Sequence, residues 1–354
     1  MLTQTMMVKV SAERAPEWER LFRPEQGWLG SDCAYSIALD ENKTLWLYDD
    51  TFVGRIRNGR RTEVDMVRNS IAIQIGNSPQ TAKVRFVWGR VGGDKPGDFV
   101  KPPDGNGWLW FGHGLLDGGK LWLFLWQFEP TDQPSPFNFR LKSSWLASTE
   151  NFAEEPERWH FKFSRVPFFL NTPDQTVCFG NAVLKVNDWV FVYGVKEDKK
   201  QRLLKRGLVV ARVPSGRLED FGAWRFHESG EWTTNWQNAE CSGDDLGFEF
   251  TVSFVPSINR FALLYSPADL SPVMRIRLSS TPFGKWGEPI TAYECPEPKL
   301  YPSAFCYAAK AHPHLSAQGE LLVTYASNSF EFRTLIENAE LYFPHFVKLM
   351  FEKP

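Results

Sequence analysis

Two carboxylates stand out for the chemistry they would do together. Asp32, in Gly30-Ser31-Asp32-Cys33, lies 16 residues before Tyr48. Glu249, in Phe248-Glu249-Phe250, lies 16 residues before Tyr265. Both tyrosines sit in aromatic-rich apolar stretches that follow a turn, so the acids occupy one place in two copies of a pattern. Cleaving a glycosidic bond needs such a pair: one carboxylic acid protonates the leaving oxygen, and an ionised partner activates water or attacks the anomeric carbon. Glu249, flanked by phenylalanines, reads as the acid. Asp32, near Gly30, Ser31 and Ser36, reads as the base or nucleophile. The structural alternative for each is a carboxylate that caps a turn or pairs with an arginine.

The elements that would position these acids repeat along the chain. A polar or glycine turn leads into Leu45–Tyr48, Leu121–Trp126, Trp189–Tyr193, Phe261–Tyr265 and Leu321–Tyr325. Taking Tyr48, Phe124, Tyr193, Tyr265 and Tyr325 as anchors, the spacing is 60 to 76 residues. A long, near-constant period carried by strands predicts propeller blades. After each of the first four hairpins come two further strand-like segments, for example Ile71–Gln74 with Val84–Trp88, and Trp145–Ala147 with Trp159–Phe163. The expected fold is therefore all-β: a five-bladed β-propeller with four antiparallel strands per blade, over one domain of residues 1–354. The last blade has only Phe346–Phe351 left, one strand short. The N-terminal segment 1–26, through a strand around Met7–Val10, is expected to complete it and remove an open edge. A β-sandwich or two smaller β domains is the alternative.

In a propeller the innermost strands line the axis, so the first strand of each hairpin supplies the candidate site. Blade one offers Asp32, blade two His113, blade three Asn181, blade four Glu249 and blade five His312. Asp50, with Thr51 at the end of the second strand, is placed to reach the mouth and orient Asp32 or a sugar hydroxyl; its ordinary alternative is an Asx-turn. Arg68 and Asn69 open the third strand of blade one and are candidates for binding hydroxyls, as is Trp110. The isolated histidines lack a neighbouring ligand pattern, and no metal or cofactor is expected. No phosphate loop, nucleophile elbow or dinucleotide fingerprint is present.

Composition narrows the partners. Aromatics make up 15% of the chain, with 15 Trp and 29 Phe, more Trp than a core needs and a natural platform for sugar rings. A formal net charge of −2 without basic runs argues against nucleic acid or an anionic membrane. Five scattered cysteines read as reduced thiols. The N-terminus lacks a basic start and a long apolar run, which predicts no signal peptide and a cytoplasmic protein; a secreted chain shorn of its leader would look the same. Oligomeric state is left open.

Gly30-Ser31-Asp32, Leu45-Trp46-Leu47-Tyr48-Asp49-Asp50-Thr51, Arg68-Asn69-Ser70, Phe179-Gly180-Asn181, Phe248-Glu249-Phe250-Thr251, His312-Pro313-His314 and Tyr342-Phe343-Pro344-His345 together resemble the DUF4185-like bacterial family, which includes endo-D-arabinanases. The fold is similar to the arabinanase and levansucrase type of propeller. The resemblance spans residues 27–351 and implies an Asp base on blade one and a Glu acid on a later blade, at Asp32 and Glu249. It departs at Asp49, where that family has Gly, and at His345, where it has Arg. Three functions follow as expectations: a glycoside hydrolase acting on a furanose-containing or related glycan, a glycoside phosphorylase using Arg68, His113 and His312 for phosphate, or a non-catalytic carbohydrate-binding propeller.

Overall fold

The computed structural model describes residues 8–132, 138–200 and 205–352. Five antiparallel sheets stand in a ring, each a blade with four core strands. The innermost strands are Gln26–Ala38, Trp108–Asp117, Gln175–Val186, Leu246–Val255 and Ala304–Ala311. Each pairs with the strand carrying its anchor: Lys43–Arg57, Lys120–Pro130, Trp189–Asp198, Arg260–Pro267 and Glu320–Ser329. All five anchors are fully buried.

The ring closes through the N-terminal segment. Lys9–Arg14 pairs antiparallel with Pro344–Glu352, with Lys9 opposite Glu352 and Arg14 opposite Val347, and becomes the outer strand of blade five. The expected strand lay slightly earlier, and its Met7 is outside the described residues. Pro16 then starts a short helix, Pro16–Glu19, as proline does at a first helical turn. Trp18 and Phe22 from this segment pack on Trp46 and Phe346, at the join of blades one and five.

The core lies between blades. Tyr35, Leu45 and Ile71 of blade one interleave with Leu109, Phe111 and Leu123 of blade two. Similar clusters fill the other four joins. Alternating strand residues thus bury both faces of each sheet, which is why the strands read as almost continuous apolar runs rather than as alternation. Much of the tryptophan goes into these joins. Trp28, Trp46, Trp126 and Trp224 are fully buried, so much of the surplus of indole is core.

Two features were not legible beforehand. The second strand of blade one runs on to Arg57 and pairs with Arg60–Val67, a charged hairpin outside the blade pattern. In blade two the fourth strand is only Lys162–Arg165, because Pro156–Arg158 forms a 3₁₀ turn and Trp159 plugs the core instead.

Each innermost strand breaks its ladder part-way along. The pairing shifts between Trp28 and Tyr35, around Gly112–His113, around Gly180–Asn181, between Leu246 and Phe250, and between Tyr307 and Lys310. Cys33, Ala34 and Ala308 adopt positive φ at these points. Such bulges re-aim side chains at barrel and propeller rims. Gly180 shows why one position tolerates no side chain: its φ is +104°, and a Cβ would sit 2.4 Å from the ring of Phe124.

Candidate active site at the propeller axis

The bulges of blades one, four and five gather charged side chains at one mouth. Tyr307 donates a short hydrogen bond to Asp32 Oδ2 and accepts one from Asn328 Nδ2 at 3.0 Å. Asp32 Oδ1 is buried and has no partner among the described residues. Burial, with Asp50 and Glu249 nearby, pushes the Asp32 carboxyl well above its ordinary range. Glu249 Oε1 accepts from Lys310 Nζ at 3.0 Å. That ammonium is completely buried; it also donates to the Ala308 carbonyl at 3.1 Å and lies 4.3 Å from the centre of the Tyr35 ring. A buried ammonium is costly without an acidic partner, and Glu249 is that partner.

Asp49 and Asp50 stand side by side on the second strand of blade one, which runs straight through them rather than ending in a turn. Asp49 is buried and accepts the Phe111 amide at 2.6 Å. Burial and the charges of Asp32 and Glu249 push its carboxyl well above the usual range. Asp50 is also raised by burial, but Arg68 and the Trp110 indole oppose the shift. Arg68 Nη1 lies 3.3 Å from both Asp50 oxygens and stacks on Trp108, and Trp110 Nε1 donates to Asp50 Oδ1 at 3.1 Å. Below this pair, Ser31, Thr51 and Ser70 form a buried hydroxyl network that fixes the segment against the innermost strand. The Tyr342 hydroxyl donates to the Asp50 carbonyl at 2.9 Å.

Beside Glu249 and Asp49 opens a pocket of about 420 Å³. Trp110, Phe128, Phe139 and Phe248 form an apolar wall, and Asn171, Glu197, Lys199 and Arg206 a polar one. Trp110 and Phe128 rings are 4.4 Å apart, and Arg206 is held by Glu197 at 2.6 Å. Mixed walls of this kind suit a polyhydroxylated ring, with C–H faces on aromatics and hydroxyls on fixed polar groups.

The remaining expected site residues play other parts. Asn69 is fully buried and clamps Val100 and Leu109 through their backbones. Asn181 is fully buried and donates to the Phe248 carbonyl at 2.7 Å, joining blade three to blade four. His113 stacks on Tyr35 and accepts from the Val183 amide at 3.2 Å; burial lowers its pKa to about 4. His312 is fully buried between Ser36 and Thr324, at 2.7 and 2.9 Å, and burial pushes it well below the usual range. It does not reach the mouth as expected. The bulge at Ala308–Ala309 gives the axial position in blade five to Lys310 instead. Sequence reasoning missed Lys310, Tyr307, Asp49 and the whole blade-three wall.

Cys33 Sγ, an Asp49 oxygen and a Glu249 oxygen lie within 4.8 Å of one another and are the described group best placed to hold a cation. Lys310 already brings a positive charge to Glu249 there, and burial pushes the Cys33 thiol well up, against the thiolate a metal needs. No described helix is long and apolar enough to cross a membrane.

Residues 16–351 match the sequence profile of a family described as a domain of unknown function, DUF5005. The chain belongs to that family. No curated protein matches it in sequence. Among solved structures it is similar to a Bacteroides ovatus protein to which a hydrolase function is ascribed, with 18% identity and a TM-score of 0.74 over 99% of this chain and 93% of that one. It is also similar to a thermostable family-43 glycoside hydrolase, with 12% identity and a TM-score of 0.50 over 94% and 91% of the two chains. At such identities the likeness establishes the shared propeller fold.

Proposed function

We propose that this DUF5005 protein is a glycoside hydrolase acting on a furanose-containing or related glycan, with Asp32 and Glu249 as its acid–base pair. One observation carries the reading. Two carboxyl groups share a propeller mouth beside an aromatic-walled pocket in unlike surroundings: Asp32 is buried among like charges, which raises it, whereas Glu249 meets the buried ammonium of Lys310. Pairs driven apart in this way divide into an acid and a base. The family-43 glycoside hydrolase on the same fold agrees with it.

The surroundings reverse the roles expected from sequence. There, the phenylalanines beside Glu249 suggested a protonated acid. In the fold Phe250 turns into the join between blades three and four and Phe248 lines the pocket, while Lys310 supplies Glu249 with a positive partner. Asp32 is the desolvated group among like charges, so Asp32 holds the proton in the resting site. It delivers that proton to the glycosidic oxygen as the bond to the anomeric carbon breaks. Glu249 carries the negative charge that either takes a proton from the attacking water or bonds the anomeric carbon; the separation of the carboxyl groups sets which. Asp49, held by the Phe111 amide, lies beside Glu249, and the like charge of the two raises the Asp49 carboxyl further.

A phosphorylase would need cationic groups for phosphate at this mouth. His113 and His312 are buried and neutral, and Arg68 is engaged by Asp50. The hydrolase reading is therefore preferred. Its test is release of reducing sugar from arabinan, xylan and related oligosaccharides in phosphate-free buffer. Turnover there that Asp32→Asn and Glu249→Gln each abolish supports it. Turnover only with added phosphate, or binding without turnover, contradicts it.

A further inference from the structure

Across the axis from the pocket, blade five presents a second aromatic surface. Phe330 is 61% exposed, as is Phe332 close by at 57%. Its ring lies 4.5 Å from that of Phe305, and Phe305 lies 5.4 Å from Tyr307. Tyr307 in turn bonds Asp32. Aromatic rings thus run without a break from the reacting carboxyl group outward to solvent. The sequence places them at the right end of the blade: Phe305 and Tyr307 lie at the start of the innermost strand, and Phe330 directly follows the end of its antiparallel partner. Phe330 is fixed there by its amide, which donates to the Ser303 carbonyl at 3.0 Å. Hydroxyls of Ser303 and Ser329, 2.9 Å apart, border the surface.

We infer that Phe330, backed by the buried ring of Phe305, forms a second glycosyl-binding subsite, so that the substrate is a glycan chain lying across the mouth, with sugar units both in the pocket and on blade five. The inference rests on the hydrolase reading. Its argument is continuity: the surface begins at Asp32, the group that meets the glycosidic oxygen, and lies on the side away from the pocket that takes the other sugar. A flat exposed ring with hydroxyls at its border fits the C–H face and the hydroxyl edge of a sugar.

The test compares arabinofuranosyl and xylosyl oligosaccharides of two to six units with wild-type protein, Phe330→Ala and Phe330→Trp. Expected is a fall of about tenfold in the ratio of kcat/KM for the hexamer to that for the dimer in Phe330→Ala, within the range of one aromatic stacking contact, and its recovery in Phe330→Trp. An unchanged ratio overturns the subsite, as does loss of a self-associated state in Phe330→Ala with no change in ratio, which would make the patch a protein contact. If the wild type cleaves none of these, the hydrolase reading has failed and the subsite is read from calorimetric hexamer binding. A tenfold weaker Kd in Phe330→Ala then supports it; an unchanged Kd, or no binding by the wild type, overturns it.

Discussion

Two groups of buried acids lie in this propeller, and the molecule treats them oppositely. At the seam where the ring closes, Glu19 and Glu297 are surrounded by donors. Glu19 meets Arg14 at 2.9 Å and Arg23 at 3.4 Å; Glu297 accepts from Tyr325 at 2.9–3.0 Å; His345 Nδ1 lies 3.8 and 3.7 Å from the two. Burial alone would raise Glu19, but His345 and Arg14 overcome it and bring its pKa down to about 2. At the axis, four carboxyl groups share Lys310 and Arg68, and three of them are raised. Charge is matched where the ring closes and left unmatched at the axial mouth. Under-compensated acids cost stability, so their presence at the mouth points to chemistry.

The contrast breaks most visibly at the axis. Asp32→Asn is expected to lower kcat/KM on unactivated glycosides by about 10³-fold, in the range of general acid catalysis. The same substitution is expected to stabilise the fold at pH 7. A raised native pKa means that the carboxyl favours folding only below its unfolded value and opposes it increasingly as pH rises through the native one. Removing the group lifts that penalty, read as a higher midpoint in urea unfolding. A destabilised Asp32→Asn protein would contradict the account.

Lys310→Met comes next. Glu249 loses its ammonium, kcat/KM falls by about 10²-fold, and the acidic limb of the rate profile moves to higher pH. A uniform loss with an unmoved limb would make Lys310 a packing residue. At the seam, Glu19→Gln is expected to cost stability and leave kcat/KM at 25 °C unaltered. Because the native pKa is depressed, Glu19 contributes above its unfolded value near 4.5 and that contribution, about 3 kcal/mol, is lost as pH falls toward 2. Unfolding measured from pH 7 to 2.5 should therefore be less steep with pH in Glu19→Gln. The smallest effect is expected from Trp110→Phe. The ring still packs on Phe128, but the indole donor to Asp50 is gone, and a loss of about 1 kcal/mol raises KM roughly fivefold.

How far these regions were legible differs for physical reasons. The blades were readable because each repeats a turn and a buried aromatic strand, a local signal. Asp32 and Glu249 could be singled out as candidates because they hold equivalent places before two anchors, and the structure places both at the axial mouth. Lys310 was hidden by the bulge at Ala308–Ala309, which changes the residue presented to the axis without a trace in the hydrophobic pattern. The His312 expectation failed for the same reason. Asp49 sat next to the chosen Asp50, and only its contact with the Phe111 amide on a neighbouring blade sets it apart. The pocket wall of Asn171, Glu197, Lys199 and Arg206 comes from loops and strand ends of blade three, where no motif ties them to residues of blades one and four. The seam was anticipated as a strand, but not its acids.

The central claim is that Asp32 holds the proton and Glu249 the charge. It is tested most directly by the leaving group. On a dinitrophenyl glycoside of the sugar that the wild type cleaves, departure needs no protonation. The account predicts that Asp32→Asn retains most of its bond-cleaving rate on this substrate while losing it on the unactivated glycan, and that Glu249→Gln loses both. If Glu249→Gln is the variant spared by the activated leaving group, the acid is Glu249 and the assignment drawn from Lys310 and the burial of Asp32 is wrong.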